Sequence, residues 1–432
     1  MLFMVKFRWE TEFKETDIGK IPKDWDVKKI KDIGEVAGGS TPSTKIKEYW
    51  GGDIPWITPK DLANYEYIYI SRGERNITEK AVKECSLRIF PKGTILLTSR
   101  APIGYVAIAK NPLTTNQGFR NIIPKDGVVS EYLYYLFKTK TMSEYLKDIS
   151  GGSTFPELKG STLKEVEIPY PSPEEQQKIA TVLSYFDDLI ENKKKQNEIL
   201  EKIALELFKN WFIDFEPFKN EEFVYNDELD KEIPKGWEVK RLGDILKVES
   251  GSNAPQREIY FENAKIPFVR VKHLVKGVCI ESSDFINELA LKDYKMKLYN
   301  EKSIIFQKSG ESLKEARVNI VPFKFTAVNH LAVIDSSMLN EKHYFIYCLL
   351  RFLLKEIVYS VKGTTLPYLK ISDIENKYII IPPQPILQKF HSLVQPLFEK
   401  IINNQKQIMV LKKIRDALLP KLVFGELRVE EL

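Results

Sequence analysis

Only three of the 432 residues are cysteine and four histidine, and no apolar run approaches the ~20 residues that a membrane-spanning helix needs. Cys85, Cys279 and Cys348 lie far apart with no CxxC spacing. That argues against a disulfide framework or a thiolate metal site, and the three are expected in the core. His273, His330, His343 and His391 have no HxxxH or HExxH partner, so metal-assisted hydrolysis lacks a ligand set. Residues 1–6 are too few for a secretory signal, and the expected setting is cytoplasmic. There is no GxxxxGK[ST] phosphate loop, no GxGxxG after a strand, and no Asn-Pro-Pro-Tyr or Asp-Pro-Pro-Tyr element, which disfavours a self-contained methylase. Glu157-Leu158-Lys159 has the spacing of a nuclease ExK pair, but so does Glu12-Phe13-Lys14. In a chain with 29% charged residues such triplets arise freely. A net charge of +5 is too slight to argue for nucleic acid by bulk electrostatics.

What the chain has is itself, twice. Ile21-Pro22-Lys23-Asp24-Trp25 returns as Ile233-Pro234-Lys235-Gly236-Trp237, and Ile54-Pro55-Trp56-Ile57 returns 212 positions later as Ile266-Pro267-Phe268-Val269. Asn116 matches Asn329 at 213, Gly152-Ser153-Thr154-Phe155-Pro156 matches Gly363-Thr364-Thr365-Leu366-Pro367 at 211, and Gln177-Lys178 matches Gln388-Lys389 at 211. Each repeat reads as a globular head followed by a helix.

The first connector opens on Ser172-Pro173-Glu174-Glu175: an N-cap serine, a proline at the first helical position and a carboxylate at the third. Apolar residues then recur three and four apart at Ile179, Val182, Phe186 and Leu189, give way at Lys193 and Gln196, and resume at Leu200, Ile203 and Leu207. The second connector shows Phe390, Leu393 and Leu397, then Asn404 and Gln407, then Leu411, Ile414 and Leu418. Each is a coiled-coil seam with a polar waist, and ~30 helical residues would make a rod of roughly 45 Å. Chain order requires the second helix to run back, so the pair is expected to be antiparallel with the waists opposed. Residues 174–211 carry a net −2 and residues 385–422 a net +5, so the segments are complementary. Such helices also serve as inert spacers or dimerisation arms, against which the duplicated heads weigh.

Residues 25–125 and 237–335 are rich in Val, Ile, Tyr and Thr in short runs broken by Gly, Pro and Asn, the pattern of many short strands. One helix is expected in each head, near residues 130–147 and 339–358. The fold class is α+β: two similar heads joined by two long helices in an antiparallel coiled coil, a pseudo-twofold internal repeat. The boundaries are head one at 1–170, first helix at 171–212, head two at 213–381, and second helix with a C-terminal cap at 382–432. Trp211-Phe212-Ile213-Asp214-Phe215 and Leu422-Val423-Phe424-Gly425-Glu426 should cap the rod, which places the chain end near head one.

Both heads repeat polar loops suited to hydrogen-bonding a ligand. Gly38-Gly39-Ser40-Thr41 answers to Ser250-Gly251-Ser252, Lys60 to Lys272, Ser99-Arg100 to Lys308-Ser309, Asn116-Gln117 to Asn329-His330, and Lys159 to Lys370. Small residues admit a backbone close to phosphates, Lys and Arg neutralise them, and Asn, Gln or Arg can read base edges. The candidate contacts are Thr41, Lys60, Ser99, Arg100, Asn116, Gln117, Ser153, Thr154 and Lys159 in the first head. In the second they are Ser252, Arg257, Lys272, His273, Lys308, Ser309, Asn329, His330, Thr364, Thr365 and Lys370. Taken singly, each could be an ordinary turn or a solvated surface residue.

On those residues the chain resembles the specificity subunit of type I restriction-modification enzymes. The matching elements are Ile21-Pro22-Lys23-Asp24-Trp25, the segment from Gly39-Ser40-Thr41-Pro42 through Ile54-Pro55-Trp56-Ile57, Gly151-Gly152-Ser153-Thr154 before Phe155-Pro156, and the Pro-Glu-Glu-Gln-Gln-Lys-Ile opening at Pro173. Half two departs from the pattern at Thr364 and has no Glu-Glu-Gln at its helix start. The resemblance implies two target-recognition domains reading a split double-stranded DNA site, on helices that also dock two methyltransferase subunits. Restriction/translocase subunits would add ATP-dependent cleavage. S-adenosylmethionine, ATP and Mg are then expected on the partners, with no cofactor and no catalysis in this chain. Heads that differ in sequence imply a non-palindromic site, with half-sites of about three or four base pairs and an unread gap of roughly five to eight. The alternative is a coiled-coil scaffold that binds other proteins through its heads.

Overall fold

A computed structural model describes residues 5–63, 65–152, 156–280, 284–360 and 368–432, with the side chains of residues 359 and 360 left aside. The chain divides into two compact units, one of residues 1–191 with 411–432 and one of residues 192–410. Both are mixed α and β, consistent with an α+β class.

In the first unit the main sheet has the order Gly34–Gly38, Phe119–Pro124, Ile95–Ser99, Ile103–Ala109, Tyr69–Ile70. Ile95, Leu96 and Leu97 are all fully buried, as a central strand covered on both faces requires. A second sheet sets Thr114–Thr115 parallel to Trp50–Ile57, with Arg75–Ile77 on the other side. In the second unit the main sheet runs Glu249–Ser250, Leu331–Ile334, Ile304–Gln307, Val318–Ile320, and the smaller one Asp284–Ile286, Ile266–Val269, Thr326–Ala327. The repeat extends to backbone pairing. Trp56 faces Thr114 and Ile57 faces Thr115, while Phe268 faces Thr326 and Val269 faces Ala327, an offset of 212 at all four positions.

The signature pentapeptide is a core device in both units. Trp25 N–H donates to the Pro22 carbonyl at 3.1 Å and Trp237 N–H to that of Pro234 at 3.2 Å, and the turn buries Ile21 and Trp25, or Ile233 and Trp237. The helix expected over 130–147 is two, Ser130–Lys138 and Lys140–Asp148. Thr139 divides them because its extended backbone lets Oγ1 accept from Met142 N–H as an N-cap. The helix of the second unit, His343–Ser360, is continuous. Cys279 and Cys348 are buried as expected, but Cys85 is only half-buried.

The two long helices span Pro173–Phe212 and Gln384–Val423, forty residues each rather than thirty. Ser172 caps the first, its Oγ accepting from Glu175 N–H at 3.3 Å. The reciprocal half of the box is replaced, since the Glu175 carboxylate turns to Trp25 Nε1 and Arg428. The seam read from the sequence needs correction. Ile203, Leu393 and Ile414 are 50%, 47% and 41% exposed, and the buried face carries Ala204, Phe208 and Trp211 on one helix and Val394, Phe398 and Ile401 on the other. The helices pack on globular cores as well as on each other, so a broader stripe wins over a narrow heptad edge. Within the second unit Asn404 Nδ2 donates to Gln196 Oε1 at 3.3 Å and Asn197 Oδ1 at 2.9 Å, and Lys193 Nζ donates to Gln407 Oε1. Phe390 there meets Phe208, Trp211 and Phe212. Within the first unit Asp187 pairs with Arg415.

The chain end returns to the first unit, where Leu427–Glu431 pairs antiparallel with Lys6–Trp9. Arg428 fastens it. Its guanidinium donates to Glu10 at 2.7 Å, to both Asp24 oxygens at 3.0 and 2.9 Å and to Glu175, and it lies 5.6 Å from the centre of a Trp25 ring.

Candidate nucleic-acid interface

Two glycines set the geometry. A Cβ on Gly39 would collide with the carbonyls of Thr115 and Asn116, and one on Gly251 with those of Ala327 and Val328. Glycine is therefore required where two loops close on each other. The closure is fixed by Ser40 N–H to Thr115 O and by Ser252 N–H to Ala327 O, each 2.8 Å. In the first unit Trp56 Nε1 also donates to Ser40 O at 3.0 Å.

This scaffold presents a polar pair in each unit. Thr41 Oγ1 donates to Gln117 Oε1 in the first, and Asn329 Nδ2 donates to Asn253 Oδ1 at 2.8 Å in the second. The register corrects the sequence match by one residue. Asn116 N–H bonds to Ile57 O and Val328 N–H to Val269 O, so Asn116 corresponds to Val328 and Gln117 to Asn329. Matching the letter Asn had favoured 213 where the backbone keeps 212. Asn116 serves its own turn, its Oδ1 accepting from Gly118 N–H at 2.9 Å.

The lysines keep the expected equivalence. Lys60 lies on the one-turn helix Pro59–Leu62 and pairs with Glu74 at 2.8 Å, which raises its pKa; Lys272 lies on Val271–His273 and pairs with Asp284 at 2.9 Å. Lys159 and Lys370 are exposed N-caps of the helices Gly160–Glu165 and Ile371–Glu375. Arg100 is half-buried, and neither it nor Lys159 has a side-chain hydrogen bond or ion pair among the described residues. Arg257 is exposed ahead of Glu258–Tyr260.

Other candidates lie inside the fold. Ser99 is fully buried and its Oγ has no partner among the described residues. Lys308 occupies the equivalent place, and with 8% exposure its Nζ is tied to Ser250 Oγ at 2.7 Å. Backbone bonds identify the match: Ser99 N–H meets Gly118 O and Lys308 N–H meets His330 O, while Leu158 and Leu369 donate back to Ser99 and Lys308. His273 is buried, with Nδ1 accepting from Arg270 N–H at 3.0 Å; burial lowers its pKa, so the ring is neutral at pH 7. Ser309 is half-buried and its Oγ lies 2.7 Å from Nδ1 of exposed His330. Ser252 is half-buried. Ser153, Thr154, Thr364 and Thr365 lie outside the described residues.

The structure adds residues the sequence reading passed over. Arg75 lays its guanidinium 3.4 Å from the centre of a Trp50 ring and 5.9 Å from one of Trp56, and the two indoles meet edge to face. Arg120 donates to Glu157 at 2.8 Å and to the carbonyls of Gln117 and Phe119, binding the loop after Gln117 to the segment before Lys159. Asn253 could have been found by applying the 212 offset to Thr41. Arg75 carried no such signal, because its stacking partner lies 25 residues away. Among the described residues no group of three or more His, Cys, Asp or Glu could hold a metal ion. No described helix is long and apolar enough to cross a membrane.

Residues 22–202 and 234–413 each match the family model of the type I restriction-modification DNA specificity domain. The MjaVIII specificity subunit of a type I restriction enzyme from Methanocaldococcus jannaschii is 22% identical over 451 residues, spanning all of both chains. The HindI specificity subunit from Haemophilus influenzae is 33% identical over 180 residues, 40% of this chain and 39% of that one. A crystal structure of a type I restriction-modification S subunit from M. genitalium, at 22% identity, superposes with a TM-score of 0.55 over 92% of this chain and 96% of that one, which supports the shared fold.

Proposed function

The chain belongs to the type I restriction-modification DNA specificity family, and we propose that each of its two units reads one half of a split, non-palindromic duplex site. The observation that carries this reading is the loop scaffold built twice around Gly39 and Gly251, on which the exposed polar pairs differ while the backbone bonds beneath them match. A common frame with unlike tips suits a protein that approaches two different base sequences in the same way.

The long helices are read as one antiparallel coiled coil relating the units by a pseudo-twofold and setting the unread gap. Support comes from the contacts within the second unit, where Lys193, Asn197 and Phe208 on one helix meet Gln407, Asn404 and Phe390 on the other, rising numbers against falling ones. Residues 1–170 and 213–381 are the two recognition domains, with 171–212 the first spacer helix and 382–432 the second with its C-terminal cap. Two methyltransferase subunits would supply S-adenosylmethionine chemistry on adenine, and restriction/translocase subunits ATP- and Mg-dependent cleavage. This chain acts as the address.

For the duplex contacts, the surface cations Lys60, Arg100, Lys159, Arg257, Lys272 and Lys370 are assigned to phosphates, together with stacked Arg75. Thr41, Gln117, Ser309, Asn329 and His330 are placed toward bases. Ser99, His273 and Lys308, being buried, support the loops from beneath. Asn116 and Ser252 hold the same loops from within, whereas Ser153, Thr154, Thr364 and Thr365 remain assigned by the resemblance alone. Binding of the complex with its methyltransferase subunits to its site should fall steeply with salt. Replacing Lys60, Arg75 and Lys159 together by Ala should weaken binding evenly across sequences and lower the slope of log K against log salt by about 2 to 3. An unchanged slope would remove these three from the duplex.

A further inference from the structure

We propose that Asn253 and Asn329 act as one reading unit for an adenine in the half-site of the second unit, an assignment that rests on the function proposed above. Thr41 and Gln117 occupy the corresponding place in the first unit.

The case begins with position. Asn253 follows Ser252, whose N–H is held by Ala327 O, and Asn329 N–H is held by Ser252 O, both at 2.8 Å. These bonds hold the two backbones together, at a closeness that a Cβ on Gly251 would prevent. Asn253 is exposed and Asn329 half-buried, and their amides bond to each other rather than to the chain. Asn116, by contrast, gives its oxygen to the backbone of its own turn. A side chain–side chain bond in the open contributes little to stability, so folding leaves this pair without a task that another polar residue could not perform.

The chemistry of two joined amides is specific. One N–H and one carbonyl are used in the bond between them. What remains facing outward includes an N–H donor and a carbonyl acceptor, and turning both amides over together exchanges the residues that provide them without changing the set. Adenine in the major groove presents the complementary pair, an N7 acceptor beside an N6 donor. Guanine presents two acceptors there, and would leave the pair's carbonyl facing another oxygen. Thr41 with Gln117 lacks this invariance, since the outward groups change with the amide's orientation, and no base is assigned to it.

The test uses the whole chain in complex with its methyltransferase subunits, on duplexes carrying the site that a methylation map of the wild-type complex defines. A map made with Asn329→Ala should relax at one base pair of one half-site and leave the other half-site and the gap intact. Adenines of that half-site are then replaced one at a time by 7-deazaadenine, which removes the N7 acceptor without altering the protein. One position should cost about tenfold in wild-type affinity. Asn253→Ala and Asn329→Ala complexes should lose about as much on the natural duplex and nothing further on that analogue. The proposal is overturned if no adenine of the half-site is sensitive, if the half-site holds no adenine, or if the variants lose the same tenfold again. Absence of any bipartite site in the wild-type map would instead overturn the functional reading on which the assignment rests.

Discussion

Adding one heptad to each long helix beside the polar waist, at residues 193–196 on one and 404–407 on the other, is expected to widen the unread gap by about three base pairs and leave both half-sites unchanged. Seven residues add about 10 Å at 1.5 Å each, and duplex DNA rises about 3.4 Å per base pair. Seven is also the insertion that keeps every following side chain on its original face. The contacts of Gln196 and Asn197 with Asn404, and of Lys193 with Gln407, should then survive on one side of the insertion. Methylation mapping of the variant reads the result. A change in the bases recognised would show that the helices and the reading loops are not separable.

Arg428→Ala should be the most destabilising single change at the chain end, costing about 2–3 kcal/mol because it leaves half-buried carboxylates without their charged hydrogen-bond donor. Arg428, Glu10 and Glu175 have side chains only 12%, 6% and 13% exposed, while Asp24 at 62% contributes less. Asp24 is held below the usual carboxylate range chiefly by its hydrogen bonds from Arg428. Burial pushes Glu10 up, but the N–H groups of Glu12 and Thr11 and the Arg428 guanidinium more than offset it, so its pKa too is lowered. A depressed carboxylate pKa contributes stability that is present above its unfolded value and lost as pH falls through its folded one. The difference between wild type and variant, measured by urea unfolding, should therefore be full above about pH 5 and shrink below about pH 4. A difference that stayed constant down to pH 3 would mean that Arg428 acts through packing on Trp25 rather than through charge.

Much of this fold could be read from the sequence because the repeat acts as an internal control. Ile21, Trp25, Ile233 and Trp237 recur because both turns bury them, and the offset between Trp56 and Phe268 is the offset of two equivalent strands. The errors share a physical origin, since burial depends on neighbours distant in the chain. A heptad pattern alone favoured Ile203, Leu393 and Ile414, which face outward because the sheets and helices of each unit claim the adjacent stripe. Ser99, His273 and Lys308 looked like ligand contacts by residue type, yet each is buried beneath the loop it was expected to line. Thr139 divides a helix through a cap bond that its letter permits but does not demand. Asn253 was missed because the loop match stopped at Ser252, one residue short of the counterpart of Thr41, and Arg75 because its stacking partner lies 25 positions away.

The claim that two related units each read their own half-site is tested most directly by putting a copy of residues 22–170 in place of residues 234–381, between the same long helices. Methylated adenines are then mapped in DNA from cells carrying this chain and its methyltransferase partners. The account predicts a palindromic site, made of the first half-site and its reverse complement across an unaltered gap. Retention of the original asymmetric site, or methylation at a sequence containing neither half, would contradict it.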